Sequence, residues 1–417
     1  MSSDFISQLR DLVAQNLPRI DVAAVHTGAH LTYDLGLDSI ELMQLLVLLE
    51  TQAGYQIPDY ALDADKLQTV ADLQQLLCTQ EQDTVGEPEL DVKVHCVVSC
   101  LCHSIKQQGL DHRPFYFGVW DAEVFIDAQH QLRYHSDKVD HDFFIRWYQR
   151  LYGAKVTQWY DHGLSKQNNI DTLSAMLQHR PDWQQLMVML DMYRLPEREN
   201  RFALDPFPHY VLLENATSDE DLWMWDPDFR WEGNLKRERV MQAIASPAVA
   251  GGYTLDTRPL HAPYAADIDA YFNACFNPQQ NHLTDAVETI IQHHLPGGAQ
   301  APTQLGKALA ELPVLAIRKY AYEHGLAFFW RELNQPAQEF ERWCDAIEIL
   351  VKGFDKLLYQ ANKWAMTQTG ADLEQLLELV AEQNRRELNI KQAVREARDQ
   401  WRKQAFTDHR NAELNPA

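Results

Sequence analysis

The 417 residues carry 60 acidic against 37 basic side chains, a net charge of -23 with histidines neutral, and 46% of them are hydrophobic. That balance disfavours nucleic acid and anionic membranes as partners and favours basic partners or polycationic small molecules. No apolar run reaches the roughly 18 residues of a membrane span, and the opening MSSDFISQLRD has neither a basic leader nor an apolar signal core, so the expected location is the cytoplasm.

A chain of this length is expected to form about three domains without disulfide staples. Its six cysteines are scattered, with three crowded at 96, 100 and 102, a pattern that fits reduced thiols. The first element is FISQLRDLVAQNL, Phe5 to Leu17, whose apolar positions follow a helical period. Next comes YDLGLDSIELMQLL, Tyr33 to Leu46. Here Asp38 is a good N-cap, Glu41 is its reciprocal partner three residues on, and Leu37 can close over Leu42. Ser39 is then the first helical residue, where backbone N–H groups and the positive end of the helix dipole favour an attached phosphate. A short segment near Ala61 to Lys66 and the Thr-capped TVADLQQLL, Thr69 to Leu77, complete a small helical bundle.

These first 80 residues resemble an acyl carrier protein, with Asp38-Ser39-Ile40 standing for the family's Asp-Ser-Leu tripeptide at the start of its second helix. The resemblance implies that Ser39 carries 4'-phosphopantetheine. It also implies a phosphopantetheinyl transferase to install the arm and a loading enzyme that charges it with an acyl or aminoacyl group. The bare alternative is a serine that only begins a helix.

The stretch TQEQDTVGEPELD, Thr79 to Asp91, is polar, acidic and broken by Gly86 and Pro88, and reads as a linker. After it, VKVHCVVSCLCHSIKQQGL reads as a buried helix with a short extended lead, and WDAEVFIDAQHQLRYH as a hairpin. The runs WQQLMVMLDMY, HYVLLENAT and DLWMWDPDF read as strands. Beyond HLPGGAQAPTQ the chain is helical, with long amphipathic runs that include LGKALAELPVLAIRKYAYEHGLAFFWREL, and the charges of the last helix are expected to form a solvated face. The expected class is α+β multidomain: a four-helix carrier bundle at 1–80, a linker at 81–91, a central α+β domain at 92–262 and a helical region at 263–417.

The chemistry is expected in the central domain. A nucleophilic thiol needs a helix N-terminus or a cation beside it, and a histidine held by an acid or amide. Cys96 starts an apolar run behind His95, His209 heads one strand, and Asp226 ends the next. Cysteine, histidine and acid in that chain order are the papain-type arrangement. Against it stand a core role for Cys96 and a strand-end role for His209. HCVVSCLCH lacks the paired spacing of a zinc site, so no metal is expected.

The run MVMLDMYRLPERENRFALDPFPHYVLLENATSDEDLWMWDPD, together with VHC at Val94 to Cys96, resembles the BtrH-like acyltransferases of the butirosin antibiotic pathway. Asp191, Tyr193, Leu195, Pro196, His209 and Asp226 fill that family's places, whereas its glycine-rich stretch is replaced by YFGVWDAEVFI, which keeps only Gly118. The resemblance implies a papain-like enzyme that moves an acyl group from a carrier thioester to the amine of a small-molecule acceptor. Asp191 and Tyr193 are expected at the acceptor site, with a buried salt bridge and a core aromatic as the other account of them. Two mechanisms stay open, an acyl-enzyme on Cys96 or His209 acting as base on the amine directly. A hydrolase acting on the carrier thioester and a non-catalytic carrier scaffold also stay open.

Overall fold

The computed structural model describes residues 2–58, 62, 67–78, 95–134, 136, 140–198 and 204–414. It has an N-terminal helical carrier region, a central sheet-containing domain and a C-terminal helical region. The carrier contains α1 (Ser2–Asn16), α2 (Ser39–Thr51) and α3 (Val70–Cys78). Helix α2 hides most of its circumference, with Leu42, Met43, Leu45, Leu46, Val47, Leu48 and Leu49 all buried. The linker expected at 81–91, and all but Leu62 of the segment expected at 61–66, lie outside the described residues.

The central domain opens with α4 (Cys96–Gln107), followed by a hairpin of β1 (Phe125–Ile126) and β2 (Leu132–Arg133) and by α5 (His141–Tyr152). Then come β3 (Lys155–Gln158), α6 (Lys166–His179), β4 (Gln184–Asp191), β5 (Pro208–Asn215) and β6 (Asp221–Asp226). The domain closes with β7 (Trp231–Lys236), α7 (Arg237–Ile244) and β8 (Gly252–Asp256). The six strands run β3-β8-β4-β5-β6-β7, every pair antiparallel. Leu186, Val188, Val211 and Leu213 pack in one core with Leu173 and Leu177 of α6 and Val240 of α7, while Met187, Met189, Tyr210 and Leu212 join the core shared with α4 and the C-terminal helices. Burial on both faces explains why β4 reads as an unbroken apolar run instead of an alternation.

The C-terminal region contains α8 (Ala265–Cys275), α9 (His282–His294), α10 (Leu305–Ala308), α11 (Leu312–Ala316), α12 (Ala321–Glu332), α13 (Ala337–Thr367) and α14 (Gly370–Leu414). The run from Leu305 to Leu333 is helical in pieces: α10, α11, a 3-10 turn at Ile317–Tyr320 and α12 divide it, and Pro313, with no N–H to give, lies in the first turn of α11. One expectation needs correction. The charges of α14 are not simply a solvated face. Glu387 is buried against Lys319 and accepts the Tyr322 hydroxyl at 3.0 Å, and Lys391 is buried on Asp121 at 2.7 Å. Buried charges persist when partners meet them, and these partners lie on α12, on the turn before it and on the loop at 119–124. Lys319 also donates to the Trp120 carbonyl at 2.6 Å. The long helix thereby fixes a loop that lines the cavity described below. Among the described residues, no helix is long and apolar enough to cross a membrane.

Candidate active site and carrier serine

Ser39 is the first residue of α2, as its flanks predict. The Asp38 carboxylate accepts the Glu41 N–H at 2.7 Å, and the Glu41 carboxylate accepts the Asp38 N–H at 3.1 Å. Arg19 pairs with Glu41 and donates to the Gly36 carbonyl at 3.0 Å, which fastens the preceding loop to the helix start. Ser39 itself is only partly buried. Beside it lies a cleft of about 430 Å³, lined by Asp38, Ile40, Glu41 and Gln44 of the carrier and by Lys307 and Asn362 of the helical region, among others. A reachable hydroxyl at a helix N-terminus, with space and a lysine alongside, fits a phosphodiester-linked arm.

A second helix start holds the thiol. Cys96 begins α4, and its N-cap, His95, makes no side-chain cap bond. The cap comes from elsewhere in the chain: Asp228 Oδ1 accepts the His95 N–H at 3.1 Å and the Ser99 hydroxyl at 2.7 Å. Asp228 is buried, and burial, only partly offset by His209 and these hydrogen bonds, raises its carboxyl above the usual range. Cys96 opens into a cavity of about 340 Å³ whose walls include His95, Phe144, His209, Phe229 and Arg318.

His209 comes from β5 and Asp226 from the end of β6. The register pairs Leu212 with Trp225, which places Asp226 opposite Val211 and makes His209 its diagonal neighbour on the same face. His209 Nε2 lies 2.9 Å from Asp226 Oδ1, and His209 lines the same cavity as Cys96. With Nε2 on the acid, Nδ1 is the nitrogen left to meet the thiol. Burial alone would push His209 down, but Asp226 and Cys96 together outweigh it and hold the imidazole well above its ordinary value. Burial would likewise raise Asp226, yet His209 and then Arg198 hold it low. Arg198 donates to Asp226 Oδ2 at 2.9 Å and stacks on Trp231, its guanidinium carbon 3.9 Å from the ring centre.

The neighbouring thiols differ. Cys100 and Cys102 are fully buried, and burial pushes both up, Cys102 to about 12. They stay protonated and inside the core. Arg318 reaches the same cavity from the turn after α11. Burial lowers its guanidinium to about 10, and its hydrogen bonds to the Glu123 and Tyr134 carbonyls are long, 3.5 and 3.4 Å. At the floor, a side chain at Gly118 would run into the Tyr271 hydroxyl and the Phe144 ring.

Asp191 and Tyr193 do not line this cavity. Asp191 is buried and its oxygens are taken, by the Phe207 N–H at 3.0 Å, the Ser246 hydroxyl at 2.8 Å and Arg194 at 3.2 Å. It anchors the strand that carries His209, while Tyr193 is 52% exposed. Sequence reasoning missed Arg198, Asp228 and Arg318. Asp228 had a signal, since Asp226-Pro227-Asp228 ends the strand with two acids, but the other two are lone arginines without a pattern.

Residues 7–77 match the model of the phosphopantetheine attachment site, residues 91–260 that of the DUF6005 N-terminal domain, and residues 266–415 that of the DUF6005 C-terminal domain. Petrobactin synthase of Bacillus anthracis is 41% identical over 308 residues, which cover 72% of this chain and 92% of that protein. Mitochondrial acyl carrier protein 2 of Arabidopsis thaliana is 36% identical over 58 residues, 14% of this chain and 44% of that protein. The N-terminal domain is thus a carrier domain whose prosthetic group is 4'-phosphopantetheine, and such a domain requires a phosphopantetheinyl transferase and an acyl-loading partner.

Proposed function

The chain belongs to the family of petrobactin synthase, with a carrier domain in the same polypeptide, and on that premise we propose that it is a cytoplasmic, carrier-dependent acyltransferase that forms an amide in the assembly of a natural product related to petrobactin. In this reading residues 1–80 are the carrier, 81–91 the linker, 92–262 a papain-like domain of the BtrH type, and 263–417 a helical domain. The observation that carries it is the Cys96, His209 and Asp226 array at the mouth of α4.

The arm on Ser39 supplies a thiol that holds the acyl or aminoacyl group as a thioester. His209 takes the Cys96 proton, and the sulfur attacks the acyl carbonyl. The α4 N-terminus and Arg318 face the oxygen that gains charge. As the bond to the carrier sulfur breaks, His209 returns the proton to that leaving thiol, and the acyl group rests on Cys96. A neutral amine then attacks, His209 takes its proton, and the amide leaves as the proton passes back to Cys96. Asp226 orients the ring through Nε2 and stabilises its charge without joining the bond changes. Glu123 and Asp140 at the cavity wall suit the approach of a cationic amine.

The test is intact-mass spectrometry of the loaded chain with amine present. Cys96→Ala and His209→Ala should each strand the acyl group on Ser39, slowing its loss about a thousandfold or more, and the double substitution should cost little beyond either alone because the pair acts as one unit. Transfer at the wild-type rate by Cys96→Ala would overturn the acyl-enzyme step. Release of free acid at the wild-type rate without any amine would mark a hydrolase.

A further inference from the structure

We propose that the helical domain carries a dedicated dock for the chain's own carrier, in which α13 grips α2 so that the arm on Ser39 enters the catalytic cavity in cis, over the edge formed by α10 and α11. The proposal rests on the acyltransferase reading and adds the route by which the donor arrives.

Three observations carry it. First, α2 lies along α13, and its far end is latched: the Glu50 carboxylate accepts the Tyr359 hydroxyl at 2.6 Å and pairs with Lys363 at 2.9 Å. The Glu50 and Lys363 side chains are only 30% and 20% exposed, so the pair is shielded more than a surface ion pair. Burial, with Glu50, raises the Tyr359 hydroxyl, which therefore remains a donor.

Second, the other end of α2 faces the cleft beside Ser39. Among the described residues lining it Lys307 is the one cation, and Asp38 and Glu41 line the same cleft. The two ends together set acidic carrier positions 38, 41 and 50 against basic positions 307 and 363 of the helical domain.

Third, one segment borders both cavities. Lys307 and Ala310 line the cleft at the carrier, while Val314, Ile317 and Arg318 line the cavity of Cys96. Ala310 and Val314 are close in the chain, on either side of the start of α11 at Leu312. The segment where α10 and α11 break the helical run thus forms part of the wall of both cavities. A tethered carrier also acts at about millimolar effective concentration, so a weak latch is enough to set its orientation.

The test uses the full chain in two measurements. In the first, hydrogen exchange is followed on the unloaded protein for wild type, Glu50→Lys, Lys363→Glu and the charge-swapped double variant. Protection of α2 and of residues 354–366 should fall about tenfold in each single variant and recover in the double; unchanged protection in the single variants overturns the dock. Addition of one arm by a phosphopantetheinyl transferase confirms that each carrier is folded.

In the second measurement, loaded Cys96→Ala chains are mixed at about micromolar concentration with Ser39→Ala chains, and loss of the acyl mass is compared with wild type. A rate about a hundredfold below wild type supports delivery in cis, and a rate equal to wild type means that carriers serve other copies and overturns the proposal. If Cys96→Ala alone transfers normally, the cysteine mechanism falls while the hydrogen-exchange result on the unloaded chain still decides the dock.

Discussion

Ser39 and Cys96 each begin an α-helix, but the two helix starts are built in opposite ways. At Ser39 the capping groups are local: Asp38 and Glu41 cap each other's N–H groups within four residues. At Cys96 the N-cap side chain makes no cap bond, and the groups that hold the helix start and face the thiol come from Asp228, His209 and Asp226, more than a hundred residues away. A serine that only has to be reached and modified needs an exposed helix end. At the thiol, the imidazole held by an acid is that of His209, which comes from a strand distant in the chain.

The comparison is tested most severely at the acid. If the α4 site depends on distant groups for its chemistry, Asp226→Asn should slow loss of the acyl group from the carrier by about 10²–10⁴-fold, because the amide holds the wrong tautomer and no longer balances the imidazolium. Addition of the arm to Ser39 should be unchanged in the same variant. A loss of both would mean that the substitution unfolds the chain, and no loss of either would remove Asp226 from the site.

The same contrast explains what was legible in the residues. The start of α2, the Thr69 start of α3 and the strand order of His209 and Asp226 could be read because capping and alternation are short-range signals. The α+β architecture followed from them. Arg198 and Arg318 could not be read, since their meaning lies in Asp226 and in the cavity, which only the folded chain brings near them. For Asp191 the resemblance suggested the acceptor site and a buried salt bridge stood as the other account; its partners Phe207 and Ser246 are loop positions without a pattern in the sequence. Glu387 and Lys391 sit in a polar helix whose sequence gives no hint that Lys319 and Asp121 wait across the interface.

A pH series sharpens the comparison from the energetic side. His209 lies above its ordinary 6.5 in the folded chain, so the stability it contributes is complete below 6.5 and is lost as pH rises through its raised folded value. Asp226 lies below its ordinary 3.8, so its contribution is present above 3.8 and is lost as pH falls through its depressed value. The stability advantage of wild type over Asp226→Asn should therefore be widest between 3.8 and 6.5 and should shrink on the alkaline side. Thermal unfolding at a series of pH values measures it. An advantage that grows steadily toward alkaline pH would mean that the pair is not an imidazolium with a carboxylate.

The smallest effect belongs to the local cap. Asp38→Ala removes the acceptor of the Glu41 N–H and leaves the Glu41 carboxylate to Arg19 and the Asp38 N–H, so α2 should lose about 1 kcal/mol of stability. Because the cap is built only from its neighbours, the loss should stay within the carrier: hydrogen exchange should quicken in the first turns of α2, while α4 and the strands carrying His209 and Asp226 keep their wild-type protection. Alkylation of Cys96 by iodoacetamide should keep its wild-type rate. If protection around Cys96 falls together with that of α2, the two helix starts are coupled through the docked interface, and the carrier's cap is no longer a local matter.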